Sequence, residues 1–168
     1  MLKNEITRDP LFQDLNGIIE NLGMVLCYVK TSKLGAATQV FVDIAKKEGE
    51  TGIDDCALVH NTILPRLSMK YGRDELYLEV STPGLQRNLR DIYELTVFTG
   101  KRVRLYCLSK SSWVSGVIEQ TDEKNVTLTD YEVEDTGEKG ERMELGLEDI
   151  QKAKLEYKWE DMKNVRVK

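Results

Sequence analysis

Side chains able to do acid–base, nucleophilic or metal chemistry are few in this sequence. There is one histidine, His60, and there are three cysteines, Cys27, Cys56 and Cys107. A histidine base needs a second group to orient its ring. His60 falls instead on the apolar side of a predicted helix and reads as a packed side chain. Three widely separated cysteines inside apolar segments fit buried thiols better than a disulfide framework or a thiolate metal site. Asp54 and Asp55 are adjacent carboxylates, but neighbours on a helix point about 100° apart, which is poor geometry for a shared metal or proton. They fit a helix start in which Thr51 caps and Asp54 reaches back. Ser81 and Thr82 have no base beside them, and no Walker A or dinucleotide-type glycine pattern occurs. No residue is therefore assigned to catalysis, to a metal or to a cofactor, and the expectation is a protein that is not an enzyme and needs no cofactor.

The chemistry of binding is better represented. Lys101, Arg102, Arg104 and Tyr106 sit where alternation puts Arg102, Arg104 and Tyr106 on one side of a strand and Val103, Leu105 and Cys107 on the other. Two guanidinium groups beside an aromatic ring suit phosphate contact and stacking on a base or a protein side chain. A solvated strand face explains the same pattern. Trp113, at the start of the next strand, fits either core or an exposed contact surface. An acidic hairpin follows, with Glu132, Glu134 and Asp135 near its tip, which solvation explains and which would also attract a basic protein. Arg87 and Arg90 flank a corner at Pro83-Gly84 and either pair with acidic neighbours to fix that corner or face RNA; pairing is the preferred reading.

The elements that position these residues divide at about residue 90. Asp9-Pro10 announces a helix with Leu11, Leu15, Ile18, Ile19 and Leu22 at helical spacing and Gly23 as its stop, after a loose lead-in over residues 1–8. Met24–Thr31 and Gln39–Ala45 read as a hairpin. A second helix carries Ile53, Cys56, His60, Ile63, Leu64 and Leu67 on one side, with Pro65 expected to kink it or end it early. The strand Leu76–Ser81 then stops at Pro83-Gly84, residues suited to the middle of a type II turn. Helix, strand, strand, helix, strand makes an α+β first domain over residues 1–90, a sheet sandwiched with helices on one face. Residues 91–168 hold a turn of helix near Asp91–Leu95 and five short strands, which suggest a small closed barrel, followed by a mobile C-terminal tail.

The composition, 40% hydrophobic and 32% charged, allows a core in each domain, and the net charge of −5 excludes a protein that coats nucleic acid by bulk positive charge. The longest apolar run falls short of a membrane span, and the polar start lacks the pattern of a signal peptide, so a cytoplasmic location is expected.

Glu79-Val80-Ser81-Thr82-Pro83-Gly84-Leu85-Gln86-Arg87-Asn88-Leu89, followed by Phe98-Thr99-Gly100-Lys101, resembles the ribosome maturation factor RimP family. Asp54-Asp55-Cys56 is similar to the start of that family's second helix, and Leu147–Ala153 to its closing turn and last strand. Gln86 and Asn88 depart from the family's usual acidic residue and proline. The resemblance implies an SH3-like or Sm-like barrel as the second domain. It also implies a monomeric factor that binds the small ribosomal subunit precursor, small-subunit ribosomal protein twelve and ribosomal RNA, and no membrane. On that expectation the barrel meets the protein and the first domain meets RNA or the particle. The alternative from another class is a general RNA-binding regulator using the barrel on single-stranded RNA.

Overall fold

The computed structural model describes residues 2–46, 51–82 and 87–156. The chain divides into two compact units, Glu5–Pro83 in one, and Met1–Asn4 with Gly84–Lys168 in the other. Pro83, Gly84 and Gln86 of the expected corner, and the expected tail, lie outside the described residues.

In the first unit α1 (Pro10–Asn21) starts as its sequence dictates: the Asp9 carboxylate accepts from the Leu11 N–H at 2.8 Å and Pro10 occupies the first turn. Leu11, Phe12, Leu15 and Ile19 are its buried stripe. Gly23, at φ +81°, turns the chain out of the helix. Then β1 (Met24–Leu34) pairs antiparallel with β2 (Ala37–Lys46), and β3 (Leu76–Ser81) pairs parallel with β2 after the crossover helix α2 (Ile53–Tyr71). The order β1-β2-β3 puts β2 in the centre. Val40, Val42 and Ile44 of β2 are fully buried and register with Val29 on one side and with Leu78 and Val80 on the other.

Three expectations for this unit are corrected. The residue before α2 is Gly52, and its N–H is met by the Asp55 carboxylate at 2.8 Å, so Asp55 and not Asp54 reaches back, while Thr51 accepts from the Lys46 N–H. One residue of shift turns Ile53 outward, 88% exposed, and leaves Val59, Ile63 and Leu67 as the buried set, with His60 and Cys56 half-buried. Pro65 does not end the helix, which continues for six further residues to Tyr71. The carbonyl deprived of its donor belongs to Asn61, an exposed position where solvent can reach it and the loss costs least.

In the second unit β4 (Asn88–Leu89), α3 (Ile92–Val97), β5 (Arg102–Cys107), β6 (Ser112–Thr121), β7 (Asn125–Val133), β8 (Lys139–Gly146) and β9 (Ile150–Leu155) form an antiparallel sheet of order β4-β9-β5-β6-β7-β8, with α3 beside it. Residues 2–4 are no loose lead-in. Leu2 is buried, and Lys3 exchanges backbone hydrogen bonds of 2.9 Å with Arg90 and Ile92. Val103, Leu105 and Cys107 face the core with Val114, Ile118, Leu128, Ile150, Ala153 and Leu155. Burial pushes the Cys107 thiol up to about 11.

The expectation of a closed barrel is also corrected. Among the described residues β4 pairs only with β9 and β8 only with β7. The outer edge β8 carries exposed Lys139, Glu141, Arg142 and Glu144, charges that discourage further strand pairing, and β4 is only two residues long. Curvature comes from bulges. At Asp130, φ +49°, β7 gains a residue relative to β6, and Gly116 opposite lets the strands close: a Cβ there would lie 3.0 Å from the Leu128 Cβ and 3.1 Å from the Thr129 carbonyl.

Candidate docking surface

The outer face of the second sheet is built by register. On β5, Arg104 stands between Lys154 of β9 and Ser115 of β6, and Tyr106 stands between Lys152 and Trp113. Alternation from Lys154 puts Lys152 on this face, and the irregularity beyond it, between Tyr106 and Cys107, turns Ile150 to the core opposite Cys107. The half-buried Trp113 ring is the centre of the cluster: Tyr106 meets it edge-on with centroids 5.5 Å apart, the Arg104 guanidinium lies 4.7 Å from its centroid and the Lys154 ammonium 5.5 Å. Each such cation contact at a partly wet site contributes about 0.5–1 kcal/mol.

The arginines expected to face a partner already have carboxylates. Arg104 donates from Nε and a terminal nitrogen to the two Glu134 oxygens at 2.9 and 3.0 Å. These hydrogen bonds raise the pKa of the Arg104 guanidinium. The Glu134 backbone N–H also donates to the Trp113 carbonyl at 3.0 Å, which holds the start of the acidic turn beside the ring. Arg102 meets Asp130 at 3.3 Å and Glu156 at 3.5 Å. The basic strand and the acidic hairpin, separate candidates in the sequence, are thus one surface. Glu132 lies on it opposite Ser115, Asp135 donates its N–H to the Ser112 hydroxyl at 3.2 Å, and Lys101 is exposed just before β5. Lys152 and Lys154 have no carboxylate partner among the described residues, and sequence reasoning missed them. Their signal was the alternation Lys152-Ala153-Lys154-Leu155, legible only once β9 is known to lie beside β5.

Arg87 lies elsewhere. Its side chain, 8% exposed, meets the fully buried Glu94 of α3 through two nitrogens at 2.9 Å, and the Arg90 N–H donates to the other Glu94 oxygen at 3.1 Å. Burial is the largest influence on Glu94 and raises its pKa, while Arg87 and Arg90 pull it down. Among the described residues no three His, Cys, Asp or Glu side chains are grouped to hold a metal, and no helix is long and apolar enough to cross a membrane.

Among the described residues these elements define an α+β protein of mostly strands and three α-helices. Residues 15–86, which cover most of the first unit, match the family model described as the RimP N-terminal domain. Over those residues the chain carries a RimP N-terminal domain, which supports the RimP family. A solved structure titled a conserved hypothetical protein from Pyrococcus furiosus is 30% identical, over 36% of this chain and 89% of its own. Its TM-score is 0.31, and at that value the likeness carries no argument.

Proposed function

We propose that this chain matures the small ribosomal subunit by docking, without bond chemistry of its own. It binds the subunit precursor in the cytoplasm as a monomer and helps small-subunit ribosomal protein twelve and its ribosomal RNA site find each other. The observation that carries this reading is the RimP N-terminal domain at residues 15–86. The outer face of the second unit supports it, because Glu132 and Asp135 offer carboxylates to a basic protein, Glu134 can exchange Arg104 for one of its cations, and lysines and aromatic rings lie alongside. Such a factor works by differential affinity: it stabilises the binding-competent arrangement of the precursor, to the extent that it binds that arrangement more tightly than others.

Sedimentation tests the reading. The protein should travel with small and not large subunits, and cells lacking it should accumulate small-subunit precursors short of late proteins. Normal subunit profiles in such cells would overturn it. The second reading, a general RNA-binding regulator, is favoured by the Tyr106–Trp113 pair. It predicts instead that the protein sediments with free RNA and not with subunits.

A further inference from the structure

We propose that the lysine-bearing half of this face, with Trp113 and Tyr106 at its centre and Lys152 and Lys154 along its border, is a stacking platform for a single-stranded segment of RNA. The inference rests on the docking reading above and deepens it by naming what this half of the face takes.

Three observations converge. The first is a pair of rings on the outer sheet face, one edge-on to the other at 5.5 Å, with Trp113 only half-buried and with the Arg104 and Lys154 cations 4.7 and 5.5 Å from its centroid, side chains that an incoming base would displace from the ring. Every base has a π-face, so such rings accept unpaired bases regardless of identity. A duplex keeps those base faces inside its own stack and offers none of them. The second is the division of charge across the face. Arg104 and Arg102 are held by Glu134, Asp130 and Glu156, so among the described residues of this half of the face the cations available to a new anion are Lys152 and Lys154. Two residues apart on one strand, these stand about 6.8 Å from each other, a separation that suits successive phosphates of an extended chain. The third is exclusion of the obvious competitor: a basic peptide is repelled by the two lysines and drawn towards the carboxylates of the β7–β8 hairpin. Bases on the rings and phosphates on the β9 lysines is the arrangement that leaves no like charges opposed.

The test uses the full chain and a fluorescein-labelled twelve-nucleotide oligouridine, read by anisotropy over a series of salt concentrations. Replacing Trp113→Ala should weaken binding about tenfold, the loss of one stacked base. The Lys152→Gln, Lys154→Gln double variant changes two surface positions and should lower the slope of log affinity against log salt by about 1.4, at about 0.7 per phosphate. Glu134→Gln should tighten binding, because it releases Arg104. With Trp159→Phe in the background, the fluorescence of Trp113 should be quenched as oligouridine is added. The proposal is overturned if the native chain does not bind the oligonucleotide, if the lysine variant keeps the native salt slope, or if base-free polyphosphate competes as well as RNA. Co-sedimentation with small subunits, measured in parallel, separates the two readings. Retained co-sedimentation with no oligonucleotide binding removes this proposal alone, and the converse removes the subunit reading while leaving the platform in place.

Discussion

The ion pair between Arg87 and Glu94 offers the sharpest test of how the second unit is held together. Glu94 is fully buried, and its two oxygens are satisfied by Arg87 at 2.9 Å and by the Arg90 N–H at 3.1 Å. Arg87→Met fills a similar volume but takes away the guanidinium bonded to that carboxylate, leaving a buried charge with the Arg90 backbone N–H and the more distant Arg90 charge to compensate it. Breaking a buried pair in this way costs about 3–5 kcal/mol. With a urea m-value of about 1.3 kcal/mol/M, the midpoint should fall by roughly 2–4 M.

The cost must depend on pH, and its sign follows from the direction of the Glu94 shift. A carboxyl raised above its ordinary 4.5 by burial binds more protons folded than unfolded. Its stabilising contribution is fully present below the unfolded value and is lost as pH rises through the folded one. Without Arg87 the opposing pull disappears and the folded value climbs further. The variant should therefore suffer most at neutral pH and recover as pH falls through the raised value of Glu94, below which the carboxyl holds its proton and buries no charge. Adding Glu94→Leu to Arg87→Met should restore most of the loss at neutral pH, since two apolar side chains replace two charges. Urea titrations of the three proteins at pH 7 and pH 5 decide the matter. A single variant that costs under about 1 kcal/mol, equally at both values, would refute the reasoning.

Two further outcomes follow from the backbone. Gly116→Ala should destabilise the second unit by about 1–3 kcal/mol, the usual range for overpacking, because the added Cβ meets the Thr129 carbonyl at 3.1 Å and backbone cannot swing aside as a side chain can; thermal melts read this directly. Pro65→Ala should instead stabilise the first unit by about 1–3 kcal/mol, restoring an N–H to the Asn61 carbonyl and improving helix propensity, with a matching rise in helical circular dichroism and in melting temperature.

What was legible in the sequence and what was not divide along a physical line. Strand faces were legible because period two is local: Val103, Leu105 and Cys107 are buried as their alternation required, with Arg102, Arg104 and Tyr106 opposite. The start of α1 was legible because Asp9-Pro10 satisfies it from adjacent residues. The start of α2 was not, since Thr51 and Gly52 are both acceptable there and the choice falls to Asp55 bonding Gly52 while Lys46 takes Thr51. Closure of the second sheet was misread because the number of strands does not say whether the two edge strands, here β4 and β8, find each other. The meeting of Arg104 with Glu134 and of Trp113 with Lys154 was invisible for the same reason. These are cross-strand relations fixed by register, which depends on pairing between distant segments.

That register also bears on how the face binds. Counting Lys101, Arg102, Arg104, Lys152 and Lys154 suggests a strongly basic patch, yet both arginines are neutralised within the unit. A ligand that takes Arg104 must displace a carboxylate held beside it by the Glu134 backbone bond to Trp113, and an intramolecular competitor of this kind is present at high effective concentration. Long-range attraction for an anion is correspondingly weak, and the salt dependence of binding should report the free lysines and not the number of cations. Contact chemistry, meaning stacking on the Trp113 ring and exchange of Glu134 for another partner, is then left to decide which ligand stays. On the proposed platform, a chain with a net charge of −5 would in this way take up RNA without adhering to every polyanion in its surroundings.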